Sequence, residues 1–233
     1  VDHLVPDGAP RHQLLAYLMR VAGVSIRELI SATNPNEQSW LAQIKAEPLE
    51  GLPLPVRAEL PDWVAERLAR HYPEPEMLAL ARGLNEPAPM DLRVNTLLTD
   101  REAVQRELQA SGIEAGFTPF SPSGLRVKGR PSINRHRLFL TGAVEVQDEG
   151  SQLLCHLVAP RRHDLVVDFC AGAGGKSLML GALMHSQGRI YAFDVSAARL
   201  NRLKPRLKRS GLSNLFPHTI SKENDIRVKR LQG

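Results

Sequence analysis

The chain has 233 residues, 42% of them hydrophobic and 24% charged, with a formal net charge of +5. That composition can bury a core and excludes a disordered or fibrous chain, and the length suits two small domains better than one. A basic balance suits a polyanion such as nucleic acid. The chain shows no membrane-length apolar run and no signal-peptide pattern, and its two cysteines, Cys155 and Cys170, cannot build a disulfide framework, so a cytoplasmic protein is expected.

Leu14, Leu15, Leu18, Met19 and Ala22, then Ile26, Leu29 and Ile30, recur at helical spacing and predict two helices broken near Gly23. Asn34-Pro35-Asn36 reads as a turn, Glu37 to Ala46 as a third helix, and Pro48 to Pro61 as an extended proline-rich connector. Asp62 is expected to cap a helix from Trp63 to Tyr72, which Pro73 stops. Glu76 to Leu84 reads as a further helix, and Glu86-Pro87-Ala88-Pro89 as a boundary.

From Asp91 the pattern changes. Leu92 to Thr96 reads as a strand, and Thr99 or Asp100 caps a helix that Gly112 ends. Short strands are expected at Ile113 to Phe117, Leu125 to Lys128 and Val144 to Gln147. This order suits a small α+β module with a half-exposed sheet. Arg93, Arg126, Lys128, Arg130, Arg135 and Arg137 make it basic, either as a solvated face or as an RNA-docking surface.

Glu149 to Val158 reads as an amphipathic helix with Leu153, Leu154 and Leu157 on one side. A βαβ pattern follows: a buried strand at Leu165 to Phe169, a helix at Lys176 to His185, and a strand at Arg189 to Asp194. Ser196 caps a basic helix that Gly211 ends and that Pro205 should bend. A third strand, Leu215 to Ile220, contains Pro217; proline cannot donate to a ladder, so this strand belongs at a sheet edge.

The stretch V-V-D-F-C-A-G-A-G-G-K-S-L, from Val166 to Leu178, is a ligand loop between strand and helix. A P-loop, G-x-x-x-x-G-K-[ST], would place its first glycine at Cys170, so that match fails. A dinucleotide fingerprint, G-x-G-x-x-G, fits at Gly172 and Gly174 but would put its third glycine at Ser177. The S-adenosylmethionine pattern D-x-G-x-G-x-G fits at Asp168, Gly172 and Gly174, with Cys170 in place of the first glycine. Asp194, about twenty residues on, can accept ribose hydroxyls in either a NAD or an S-adenosylmethionine site, or cap the helix after it. Asp168 either fixes the loop or meets the ligand, and Lys176 is either a solvated first-turn residue or an ammonium near a ligand carboxylate.

The segment Asp168 to Ser177 resembles D-x-C-A-A-P-G-G-K-T of the Sun/Fmu-type RNA cytosine-5 methyltransferases. Gln147-Asp148-Glu149-Gly150-Ser151-Gln152 resembles the family's Q-D-x-x-S-Q, and Leu92 to Thr96 its L-R-V-N-T. Gly172-Ala173 departs from the usual Ala-Pro, which should loosen the loop. The resemblance implies an α/β fold: N-terminal helices (1–89), a small α+β RNA-recognition-like domain (90–147) and part of a Rossmann-like methyltransferase domain (148–233). It implies S-adenosylmethionine held by Cys170, Ala171, Gly172, Ala173, Gly174, Gly175, Lys176 and Asp194, with Asp225 near the adenine. Arg199 stands where some members use an arginine, or is a solvated residue on a basic helix. It implies methyl transfer to C5 of a cytosine in RNA, rRNA above all, with no metal and no membrane; the oligomeric state is not indicated.

In that family one cysteine, in D-A-P-C, adds to C6 of the base, and a second, in T-C-S, assists release. Neither motif occurs in these 233 residues, so no catalytic residue is assigned. Cys170 belongs to the cofactor loop, and Cys155, among leucines, reads as packing. The expectation is a chain that resembles the N-terminal part of a methyltransferase, is inactive alone, and is marginally stable because strand 165–169 has an unpaired edge. A non-catalytic RNA-binding or scaffold protein with a degenerate fold is the alternative, and a NAD-dependent enzyme a distant third.

Overall fold

The computed structural model describes residues 4–5, 8–47 and 51–231. The chain divides into two compact units, Val1–Pro87 and Ala88–Gly233. Among the described residues no helix is long and apolar enough to cross a membrane.

The first unit is helical: α1 Pro10–Arg20, α2 Ile26–Leu29, α3 Pro35–Ala46, α4 Leu54–Ala58, α5 Asp62–Ala69 and α6 Glu74–Asn85. Leu15, Ala16, Met19, Leu29, Leu41 and Ile44 form one core, and Ala58, Ala65, Met77 and Ala81 a second. Three expectations are corrected. Asn34-Pro35-Asn36 is no free turn: Asn34 caps α3 in a reciprocal capping box with Glu37, and Pro35, which needs no N–H partner, takes the first helical position. The proline-rich stretch contains α4, because Pro53 and Pro55 sit at or before the first turn, where proline is tolerated; Pro48 to Glu50 lie outside the described residues. Asp62 is the first residue of α5 and makes no capping bond; Pro61 precedes the helix, and Pro73 likewise precedes α6.

The second unit begins with a four-stranded antiparallel sheet. Its elements are β1 Met90–Val94, α7 Arg101–Ala110, β2 Ala115–Phe117, β3 Gly124–Val127, α8 Arg137–Leu140 and β4 Val144–Val146, with strand order β2-β3-β1-β4. Leu92, Val94, Leu125, Val127 and Val144 alternate onto one face and bury against Val104 and Leu108 of α7. Asp100 caps α7 by accepting from the Ala103 amide. The basic residues of this module are largely committed within it. Arg93 is 2% exposed. Arg126 makes a bidentate pair with Asp91 at 2.8 and 3.0 Å, Lys128 pairs with Glu114, and Arg137 with Glu107.

After β4 come α9 Glu149–Val158, β5 Leu165–Asp168, α10 Gly175–Leu183, β6 Arg189–Asp194, α11 Ala197–Ser210, β7 Leu215–Thr219 and α12 Ile226–Lys229. The three strands are parallel in the order β5-β6-β7. Pro217 lies in β7, at the sheet edge that its missing N–H requires. On β6, Ile190 and Ala192 face the core with Leu178, Met179, Leu200 and Leu203, while Phe193 packs with Ile220 and Val228 on the other side. Among the described residues β5 has the unpaired edge expected of strand 165–169, and it is therefore not the buried strand also expected: Leu165 is 54% exposed and Val167 39%, while Val166 packs on the core. The leucine face of α9 also points outward, with Leu157 80% exposed, and the helix buries Gln152 and Cys155 instead.

Glu37 gives the first unit a pH dependence. Its carboxylate takes Arg11 Nε at 2.6 Å and Nη2 at 3.0 Å, and the Asn34 amide at 2.9 Å. The Arg11 hydrogen bond, followed by that amide, holds its pKa at about 2 against an ordinary 4.5. The stability it contributes is complete above pH 4.5 and is lost as pH falls from 4.5 toward 2. In acid titrations followed by circular dichroism, Glu37→Gln should lower stability at pH 7 and flatten the loss between those values.

Candidate functional site

The C-terminal end of β5 leads through 169–174 into α10. Two positions in this loop require glycine. Gly172 has φ +57° and Gly174 φ +78°, and a Cβ on Gly174 would stand 2.2 Å from a methyl carbon of Leu203 on α11. The loop therefore lies directly on α11. Asp168 Oδ2 accepts from Ser177 Oγ at 2.6 Å, which ties the end of β5 to the first turn of α10. Ser177 is fully buried in that bond, which agrees with the failure of the P-loop match.

Asp194, at the end of β6, is 4% exposed. Its Oδ2 accepts from the Gly172 amide at 2.8 Å, and its Oδ1 from the Ser196 amide at 2.8 Å. The Ser196 hydrogen bond first, and then the Gly172 amide and nearby Arg199, hold the carboxyl below its ordinary pKa despite burial. Each oxygen keeps a second lone pair for a ligand hydroxyl. Asp194 thus holds the loop, while Ser196 caps α11 through the Arg199 amide. Arg199 is exposed, with Nη1 4.0 Å from Asp194 Oδ2.

The loop's own bonds use the amides of Ala171, Gly172 and Gly174. The amides of Gly175, Lys176 and Ser177 lie in the first turn of α10, where the helix itself offers no acceptor. Gly175 and Lys176 border a cleft of about 210 Å³ lined also by Gln147, Asp148, Ser151, Asp168 and Cys170, among others. Cys170 and Lys176 are exposed at it. Cys155 is buried, and burial pushes its thiol up to about 11, so it stays protonated at neutral pH. Asp225 stands apart from this cleft's lining. It caps α12 through the Arg227 amide at 3.0 Å and accepts from the Ser221 amide at 3.2 Å, bonds that hold its pKa low, the Arg227 one most.

Four residues that sequence reasoning did not assign support the site. On α11, Arg206 Nη1 donates to the Ala173 carbonyl at 2.5 Å, and its Nε to Glu145 of β4 at 2.9 Å. Arg209 Nη2 reaches the other Glu145 oxygen at 2.6 Å, and its guanidinium lies over the Phe139 ring. In β1, Arg93 Nε donates to Gln147 Oε1 at 2.7 Å. Asn95 Nδ2, also from the L-R-V-N-T segment, donates to the Gly142 and Ser210 carbonyls at 3.1 and 2.9 Å. That segment therefore joins the small sheet to the α/β layer. The available signal was spacing: Arg206 lies three residues after Leu203, on the buried side of α11.

A small antiparallel β1-α7-β2-β3-α8-β4 sheet followed by parallel β5-β6-β7, with a glycine loop after β5, defines a ferredoxin-like domain joined to a Rossmann-like methyltransferase domain. Residues 60–134 match the family described as "Methyltr_RsmF/B-like, ferredoxin-like domain", and residues 155–231 match "16S rRNA methyltransferase RsmB/F". The chain belongs to this family, the Sun-type methyltransferases. It is 30% identical over 167 residues to a probable ribosomal RNA small subunit methyltransferase B of Synechocystis, covering 71% of this chain and 37% of that protein. It is 35% identical over 149 residues to ribosomal RNA small subunit methyltransferase B of Pasteurella multocida, covering 64% and 32%. The chain thus spans about a third of the length of these relatives. A methyltransferase homolog from Pyrococcus horikoshii superposes with TM-score 0.67 at 27% identity, covering 77% of this chain and 58% of that one. NSun6 from the same organism shares the fold, with TM-score 0.63 at 18% identity, covering 69% and 65%.

Glu145 touches no atom of the loop and yet anchors it through Arg206. Replacing it leaves two half-buried guanidiniums without their carboxylate, at a cost of about 3 kcal/mol. Glu145→Leu should lower stability by about that amount in urea unfolding. In hydrogen-exchange mass spectrometry it should also raise exchange across 170–174 more than across the β6 ladder.

Proposed function

We propose that this chain carries the methyl-donor site and the small accessory sheet domain (90–147) of an S-adenosylmethionine-dependent RNA (cytosine-5)-methyltransferase, with small-subunit rRNA as its substrate. The observation that carries this is the grip of Asp194 on the Gly172 amide at 2.8 Å. It joins the glycine loop after the first strand to the acid ending the second, the two places where a Rossmann-like sheet meets an adenosyl ligand. The residues fit that ligand. The loop has no side chain at 172, 174 or 175, the α10 amides are open, and the cleft beside them carries both a cation and carboxylates.

In this reading Cys170 to Lys176 hold the donor by main chain, Asp194 takes the ribose hydroxyls, and Asp225 lies toward the adenine. Arg199 stays at the exposed rim. Bound there, S-adenosylmethionine supplies an electrophilic methyl group. The names of the relatives support the substrate class, and NSun6, the fold neighbour, was solved with SFG.

Attack on cytosine C6 needs a thiolate, and neither cysteine of these 233 residues suits it. Cys155 is a buried thiol, and Cys170 belongs to the donor loop. We therefore propose that these residues by themselves bind the donor and transfer nothing.

Two measurements test this. Isothermal titration of S-adenosylmethionine should show binding that Asp194→Asn weakens about tenfold or more, since the amide forfeits charge-assisted hydrogen bonds. Equal affinity in the variant would count against the site. Incubation with labelled S-adenosylmethionine and rRNA should leave the RNA unlabelled; label at cytosine C5 would refute the inactivity.

A further inference from the structure

Gln147 is 8% exposed, and the chemistry of its neighbour distinguishes its two amide atoms. Arg93 Nε meets one of them at 2.7 Å. A guanidinium has donors and no acceptor, so the atom facing it is the carbonyl oxygen. The NH2 group must then point elsewhere. Its nitrogen lies 3.8 Å from where a Cβ on Gly175 would stand, on the wall of the 210 Å³ cleft. Among the described residues no acceptor takes it.

This donor is fixed from behind. Arg93 is 2% exposed and sits across the ladder from Glu145; burial pulls its pKa to about 10, which still leaves it charged at neutral pH. The Gln147 amide donates to the Asp91 carbonyl at 3.1 Å, and the Gln147 carbonyl accepts from Gln152 Nε2 at 2.9 Å. A side chain clamped at its backbone and its carbonyl oxygen presents its remaining donors without further loss of rotamer freedom.

The other groups of the cleft complete the pattern. Lys176 brings an ammonium, and Asp168 and Asp148 bring carboxylates that already hold Ser177 Oγ and the Ser151 amide. A cleft lined by both donors and carboxylates has the two kinds of group that an α-amino-acid zwitterion needs. The cleft is also smaller than the ~300–1,000 Å³ of a complete ligand site, so it suits one end of a cofactor.

We propose that Gln147 is a binding residue for the methyl donor: its NH2 group donates to the carboxylate of the donor's amino-acid end, and Arg93 is the positioning residue that turns it there. This rests on the S-adenosylmethionine reading of the loop. It gives the first residue of the Q-D-x-x-S-Q segment a task, while Asp148 caps α9 and Gln152 braces the backbone.

Two probes separate the ends of the ligand: S-adenosylhomocysteine, which has the amino-acid end, and 5′-methylthioadenosine, which lacks it. In isothermal titrations, Gln147→Leu should weaken S-adenosylhomocysteine about tenfold and leave 5′-methylthioadenosine within about twofold. Gln147→Glu, which sets a carboxylate against the ligand's own, should weaken S-adenosylhomocysteine further. A merely structural role would move both probes together. Equal losses for the two, or no loss for S-adenosylhomocysteine, overturns the Gln147 assignment while the nucleoside site stands. Failure of the unsubstituted chain to bind either probe overturns the methyl-donor reading and the assignment with it.

Discussion

The second unit depends on one buried carboxylate. Glu145, 4% exposed on β4, neutralises Arg206 and Arg209 of α11 and faces Arg93 across the ladder. Three guanidiniums around one carboxylate are costly to desolvate, and such a cluster is weak ground for stability by itself. Part of that cost is offset by other partners, although Arg209 Nε is buried without an acceptor among the described residues. Arg93 takes the Gln147 oxygen, Arg206 takes the Ala173 carbonyl, and Arg209 lies on Phe139. What the cluster supplies is geometry. It holds the small sheet, the basic helix and the glycine loop at fixed distances from one another.

That geometry explains why α11 matters more than its charge suggests. Its sequence, A-A-R-L-N-R-L-K-P-R-L-K-R-S, reads as a solvated basic helix with a leucine stripe. In the fold, Leu203 fills the space a side chain at 174 would need, and Arg206 hydrogen-bonds the loop backbone one residue earlier. The Arg209 carbonyl leaves so little room at 142 that a Cβ there would stand 2.1 Å away. One helix thus shapes the ligand loop with its middle and docks the accessory domain with its end.

Local chemistry was legible in the sequence, and long-range pairing was not. The strand, glycine loop and helix at 165–183, the caps at Asp100 and Ser196, and the edge position of the Pro217 strand all follow from constraints within a few residues. The prolines of the first unit misled because proline stops a helix in its interior and starts one at its first turn, so Pro35, Pro53 and Pro61 open helices. The loop residues Cys170 to Lys176 and Asp194 could be named from spacing, because glycine and a strand-terminal acid have local reasons to be there. Gln147 and Arg93 could not, because they pair across 54 residues, and for Arg206 spacing gave only the buried side of α11 and not its partner 61 residues away. Arg93 shows the limit best. By composition it belonged to a basic surface, and in the fold it is among the most buried cations of the unit.

The two misplaced apolar surfaces carry the same lesson further. A strand such as L-V-V-D and a helix face of Leu153, Leu154 and Leu157 are apolar enough to read as core, yet Leu165, Val167, Leu154 and Leu157 are exposed. Apolar residues report that a surface is worth covering and do not report what covers it. The α9 helix separates the two demands. Its polar residues Gln152 and Glu149 are buried because they satisfy the Ser121 hydroxyl and the Ser121 and Phe120 amides, while Leu154 and Leu157 face out. Polar groups are satisfied one bond at a time, and here those bonds orient the helix against its hydrophobic pattern. The same rule fixes the Gln147 amide and grips the Gly172 amide. The site is therefore organised by hydrogen bonds whose partners the packing pattern alone does not reveal.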